Sequence, residues 1–171
     1  MVKKVLVAYA TTHGSTKEVA EVVAEVMRDI GLDIDRLSAP QVKSLEGYHA
    51  VVIGAPLYMF HLHKDARRFL SRFENYLNEN LPVYIFAGGP FGPDVEKDRQ
   101  EVQRNLKSEV AKFPWLKPAG IKLIGGRFDP SGLHFPYNLI PAMKKMPPSD
   151  LRDWKDIRKW AIDIAMEISA K

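Results

Sequence analysis

Residues Thr11-Thr12-His13-Gly14-Ser15-Thr16 place four hydroxyl side chains and one glycine between an apolar run and a segment of helical period. Backbone N–H groups at a helix start carry positive potential, and hydroxyls add directed donors. The chemistry this favours is retention of a phosphate monoester by neutral groups. Ordinary N-capping by one Ser or Thr explains part of the cluster, but four hydroxyls exceed what a single cap requires. The spacing fits neither G-x-x-x-x-G-K-[ST] nor G-x-G-x-x-G. His13 would bring a titratable charge close to such a phosphate, or else sit in solvent.

Two further segments have unusual chemistry. Ala55-Pro56-Leu57-Tyr58-Met59-Phe60 begins with small residues and turns bulky, which suits stacking on a planar ring or, alternatively, covering the end of a sheet. Ala87-Gly88-Gly89-Pro90-Phe91 combines glycine and proline into a fixed backbone that a ligand can approach closely, or that merely turns. His61 and His63 stand at i, i+2 with no third ligand nearby, so no metal site is expected. No side chain declares itself as a general acid or base, and catalytic residues stay unassigned.

These segments need a scaffold, and the hydrophobic pattern supplies one. Short apolar runs at Lys3–Tyr9, Leu32–Leu37, His49–Gly54, Pro82–Ala87 and Ile121–Ile124 predict strands. Helices are expected over Thr16–Ile30, Lys64–Leu77, Val95–Phe113 and Leu151–Ile168. The first carries the stripe Val19, Val22, Val23, Val26 and Ile30. Ser149 or Asp150 is the expected N-cap of the last. This alternation gives an α/β fold, a doubly wound sheet of five strands with intervening helices. Ligands of such sheets bind beyond the carboxyl ends of the strands, where all three segments fall. Arg127–Pro148 breaks the pattern with five prolines and eight large apolar residues. It reads as an insertion, either a substrate wall or a packed cover.

The chain has 171 residues and 19.4 kDa, and one domain is expected. It has no cysteine, which excludes disulfides, iron–sulfur clusters, thiolate zinc and Cys nucleophiles. Any electron chemistry therefore belongs to an organic cofactor. Net charge is +4 with a pI near 9.2, the sign that attracts anionic ligands or surfaces. Lys3 and Lys4 before six apolar residues imitate a secretion signal, but the run is short and reads as a buried strand of a cytoplasmic protein.

Taken together, the three segments resemble those of the flavodoxin-like flavin mononucleotide (FMN) proteins. Thr11, Gly14 and Thr16 meet the T-x-x-G-x-T pattern of that family's phosphate loop. The resemblance implies a flavodoxin-like three-layer sandwich, with a five-stranded parallel sheet of order 2-1-3-4-5 and helices on both faces, and FMN as cofactor. Thr11, Thr12, His13, Gly14, Ser15 and Thr16 would lie at its phosphate. Ala55, Pro56, Leu57, Tyr58, Met59 and Phe60, with Ala87, Gly88, Gly89, Pro90 and Phe91, would lie at its ring. The chain is similar to the flavodoxin-domain branch containing menaquinone-dependent protoporphyrinogen IX dehydrogenases, through His61, His63, the insertion and Asp153-Trp154. It departs from that branch at Pro56, Tyr58 and Phe60, which replace a serine, an arginine and a glycine.

A receiver domain would need an acidic cluster after the first strand and an aspartate ending the third, and Gly54-Ala55-Pro56 stands there instead. A nicotinamide Rossmann site is disfavoured by the single glycine of the first loop, despite Asp35. The resemblance leaves an FMN oxidoreductase acting on a quinone or porphyrin-type substrate, a flavodoxin-type electron carrier docking a redox partner protein, or a domain without cofactor. The basic pI favours the first, because electron-carrier flavodoxins are typically acidic. Peripheral membrane contact is compatible with it, and nucleic acid is not an expected partner.

Overall fold

The structure, a computed structural model, describes residues 1–78, 81–89 and 94–171. Strand β1 (Lys4–Tyr9) leads into helix α1 (Ser15–Asp29), then β2 (Asp33–Ser38), a 3-10 turn, and β3 (Ala50–Tyr58). A two-residue strand β4 (His61–Leu62) precedes α2 (Lys64–Arg72) and α3 (Glu74–Asn78). Then come β5 (Val83–Gly88), α4 (Val95–Ala111), β6 (Gly120–Ile124), β7 (Arg127–Phe128), a short α5 (Pro141–Lys144), β8 (Ser149–Asp150) and α6 (Trp154–Ala170).

The parallel strands run in the order β2-β1-β3-β5-β6, the predicted order once the two-residue β4 is set aside. β1, β3 and β5 are central, and both of their faces are buried, which is why they read as continuous apolar runs. Alternate residues serve opposite cores. Leu6, Val51, Ile53 and Ile85 pack with Phe69, Leu70 and Leu106 of α2 and α4. Val5, Val7, Val52 and Phe86 pack with Val19, Val23, Ile157 and Ile164 of α1 and α6. Gly54 leaves room on this second side, since a Cβ there would lie 2.0 Å from the Phe86 ring.

Several boundaries differ from the sequence reading. Residues Ala55–Tyr58, expected as a loop, continue β3, and Leu57 and Tyr58 pair antiparallel with Leu62 and His61. The predicted Lys64–Leu77 helix breaks at Phe73, whose ring turns into the core while Arg72 lies 4.5 Å over it and bonds the carbonyls of Ala39 and Val42. Ile30 is exposed at the end of α1 rather than continuing its buried stripe. The last helix starts at Trp154 with Asp153 as its cap, accepting from the Asp156 amide. Ser149 and Asp150 are not the cap because they pair with Phe128 and Arg127 in a ladder that closes the insertion.

The hairpin of β3 and β4 is fixed from behind by a carboxylate. Glu109 of α4 is 2% exposed and accepts from the Leu62 amide at 3.0 Å, with His61 Nδ1 at 3.1 Å and Lys112 beside it. Burial opposes its ionisation, but Lys112, the amide and His61 together hold its pKa below the usual glutamate value. Glu109→Ala is expected to lower stability by about 1–3 kcal/mol, because the Leu62 N–H loses its partner inside the fold. Glu109→Gln, which keeps an acceptor, should lose less. Urea unfolding of both variants at neutral pH measures the difference, and equal losses would refute the amide contact as the cause.

Candidate functional site

The three sequence segments converge on one cavity of about 610 Å³ beyond the carboxyl ends of the strands. Gly14, between the lining residues His13 and Ser15, has φ +87°, in the left-handed region that turns the chain into α1. Its amide donates to Thr11 Oγ1 at 2.8 Å, so Thr11 shapes the loop from within rather than lining the cavity. No side chain caps α1. Its opening turn therefore presents unclaimed amides beside Thr12, Ser15 and the nearly buried Thr16, all of which line the cavity. A phosphate-sized anion fits that chemistry.

The ring-side residues are sorted by the hairpin. Pro56, Leu57, Tyr58 and Met59 line the cavity, whereas Ala55 is in the core. Met59 and Phe60 form the two-residue turn, both at positive φ (47° and 69°) and mostly exposed. Phe60 does not reach the cavity lining. From the third segment Gly88 lines it, Ala87 is core, and Gly89 packs so tightly that a Cβ would lie 2.8 Å from Val102. Pro90 and Phe91 lie outside the described residues.

The two histidines after the hairpin do different jobs. His61 bonds Glu109. His63 is largely buried, accepts from the Asp65 amide to cap α2, and touches Thr12 Oγ1 through Nε2 at 3.0 Å. Among the described residues no group of three His, Cys, Asp or Glu could hold a metal.

The other half of the cavity comes from residues after β6. Gly125 lets the chain pass against Leu151, whose carbonyl oxygen a Cβ would meet at 1.6 Å. The Gly125-Gly126 pair at a strand exit was the available sequence signal for this wall. Phe128, Leu133, His134, Tyr137, Met143 and Met146 then line the cavity from the insertion. His134 stacks on His13 with centroids 5.3 Å apart and planes 16° from parallel. Tyr58 sits among His13, His63 and Tyr137 at 6.2–6.3 Å. Burial raises the pKa of the Tyr58 phenol, against a counteracting bond from Thr12.

At the insertion's base, the Arg152 side chain is 5% exposed. It holds Asp150 through two nitrogens (2.8 and 2.7 Å), Glu18 of α1 at 2.6 Å and the Ser15 carbonyl at 3.3 Å. Arg127 reaches the same Glu18 at 3.2 Å. Nothing in the sequence pattern singled out Arg152 or Glu18, because single charges on a helix and a loop carry no periodic signal.

This sheet order, with its cavity beyond the carboxyl ends of the strands, is that of a flavodoxin-type domain. The flavodoxin domain family matches residues 6–146, and the chain belongs to it. It is 23% identical to the protoporphyrinogen IX dehydrogenase [quinone] of Escherichia coli (strain K12), over 95% of this chain and 94% of that protein. Its fold is similar to that of rubredoxin oxygen:oxidoreductase from Desulfovibrio gigas, with TM-score 0.61 and 17% identity over 98% of this chain, which spans 36% of that larger one. It is similar also to a flavodoxin from the domain Archaea, with TM-score 0.59 and 16% identity over 97% of this chain and 99% of that one. Family membership and these folds indicate FMN as the cofactor.

Burial, followed by the charges of Lys64 and Arg67, lowers the His63 pKa below its ordinary 6.5, while Asp65 pulls the other way. His13 is lowered too, by burial and then by His134. A depressed histidine stabilises the fold fully above its unfolded pKa and loses that contribution as pH falls through the folded value. Stability is therefore expected to drop as pH falls below 6.5. His63→Asn, which keeps an acceptor for the Asp65 amide but does not titrate, should flatten part of that decline. Urea midpoints across this pH range provide the check, and an unchanged slope would assign the decline elsewhere.

Proposed function

We propose that the chain is an FMN-dependent oxidoreductase that acts on a bound, largely flat organic substrate of the quinone or porphyrin type. What carries this reading is the insertion, which supplies an apolar wall directly against the phosphate loop and the Tyr58 hairpin. A carrier that only docks redox partners needs its flavin edge near the surface and has no use for such a wall. The similarity to protoporphyrinogen IX dehydrogenase, over 95% of this chain, supports the same substrate class.

In this reading Ser15, Thr16 and the uncapped amides of α1 hold the FMN phosphate, with Thr12 positioned by His63. Thr11 acts one step back, by fixing Gly14. Tyr58 flanks the ring and, with Leu57 and Met59, keeps water from one side of it. FMN supplies the reversible electron acceptance, and the protein contributes placement and polarity. Met143, Met146, Leu133 and Phe128 offer an adaptable apolar surface to the substrate.

The mouth of the cavity also favours a lipid surface as the place of work. Met59, Phe60, Phe135 and Leu139 are each more than half exposed on the hairpin tip and the insertion. Lys144 and Lys145 are exposed on the same insertion, so apolar and cationic groups share that segment. Single exposed apolar residues mean little, but a group of them beside basic charge suits a peripheral contact with an anionic bilayer. Among the described residues no helix is long and apolar enough to cross a membrane.

Titration should show FMN binding far more tightly than riboflavin. Ser15→Ala and Thr16→Val should each weaken FMN by about 10- to 100-fold, or ~1.5–3 kcal/mol, while leaving riboflavin nearly unaffected. Equal affinity for the two flavins would reject the phosphate assignment. In flotation assays the protein is expected to associate with vesicles rich in phosphatidylglycerol and to lose that association in a Phe60→Asp, Leu139→Asp double variant. Retention by the double variant would exclude this face.

A further inference from the structure

We propose that Tyr137, carried by the insertion, is the second stacking wall of the flavin ring slot, opposite Tyr58, so that the insertion completes the cofactor site as well as bounding the substrate. The inference rests on the FMN reading and adds a residue that lies in none of the three flavin segments.

The geometry points to a slot. The Tyr58 and Tyr137 centroids are 6.3 Å apart with planes 36° from parallel, and both rings line the cavity. That is the separation of tilted neighbouring rings, about 4.5–7 Å, rather than of a face-to-face pair, so a third ring enters between them only as they part. A planar ring in contact with one on each side needs two gaps of about 3.5 Å, or about 7 Å between the outer rings. Less than about 1 Å of widening and a modest rotation of Tyr137 would make the space. The same cavity reaches Ser15 and Thr16, so a ligand with a flat ring and a phosphate can engage both ends.

Two features hold Tyr137 at this distance. Its neighbour His134 stacks on His13 of the phosphate loop. At the insertion's base, Arg152 and Arg127 tie the β7–β8 ladder to Glu18 of α1. Tyr137 is thus fixed to the element that holds the phosphate as well as facing the hairpin that flanks the ring. Tyr137 is only partly buried, and it opens a 3-10 turn whose remaining side chains, Asn138 and Leu139, are not part of the cavity lining. A merely structural tyrosine would be expected to pack its ring fully.

The test uses the full chain, FMN as probe, and two variants. Tyr137→Leu removes the ring and should raise the FMN dissociation constant roughly 5- to 100-fold, the range of one aromatic stacking contact on a flat heterocycle. Tyr137→Phe keeps the ring but removes the phenol, an efficient electron-transfer quencher of excited flavin. In a Tyr58→Phe background it should leave affinity almost unchanged and lengthen the bound-flavin fluorescence lifetime. A purely structural role would not move that lifetime. An unchanged lifetime, or a Tyr137→Leu protein that is folded by circular dichroism and binds FMN within about twofold of the parent, would overturn the inference, since loss of a stacking wall cannot leave affinity intact. If the unmutated protein fails to bind FMN, the cofactor reading fails and takes this inference with it. If it binds and the Tyr137 variants are indifferent, only the stacking wall is lost.

Discussion

The site depends on one buried cation. Arg152 satisfies two carboxylates from different parts of the chain and a backbone carbonyl, and its guanidinium lies 4.6 Å over the Trp154 ring. Without it, the segment from Arg127 to Asp150 would be a long loop anchored at its base by a two-residue ladder. With it, that loop is fixed to the first turn of α1. Glu18 and Asp150 are themselves 45% and 44% exposed, so losing this partner would leave both carboxylates solvated and cost about 1 kcal/mol or less per pair, while freeing the loop from α1. Hydrogen bonding to Asp150 raises the Arg152 pKa, against the opposing effect of burial, so the clamp keeps its charge at any physiological pH. The cavity volume, the His13–His134 stack and the distance between Tyr58 and Tyr137 all rest on this anchor.

The parts of the molecule legible in the sequence are those where burial imposes a period. Val5-Leu6-Val7-Ala8 and Val51-Val52-Ile53 could only be strands covered on both faces, and their alternation with amphipathic helices pointed to a doubly wound sheet, whose order came from the family resemblance. The hairpin was not legible, because a two-residue turn of this kind is normally announced by Asn-Gly and here contains Met59-Phe60. The true cap of α6 was hidden as well. Asp150 and Asp153 are the same residue type three positions apart, and only the ladder with Arg127 decides which one is free to cap.

The histidines illustrate a different limit. His61 and His63 look like a pair in sequence, and on one strand they would share a face, yet β4 ends at Leu62 and His63 turns away to cap α2, so they meet different neighbours. One finds a carboxylate on α4 and the other a hydroxyl in the phosphate loop. His63 thereby connects three elements: the end of the β3–β4 hairpin, the start of α2, and Thr12. Spacing along the chain defines which residues are candidates. It does not define what each will meet across the fold.

The hairpin tip stores energy. Two successive side-chain-bearing residues in the left-handed region cost of order 1–3 kcal/mol each, a noticeable part of the roughly 5–15 kcal/mol that keeps an average domain folded. Replacement by Asn-Gly would relieve that strain, and would also remove the Met59 thioether from the rim of the cavity and the exposed Phe60 ring beside it. Thermostability and rim chemistry are therefore opposed at these two positions. A screen that selects only for heat resistance would be drawn to this turn and would erase its apolar side chains.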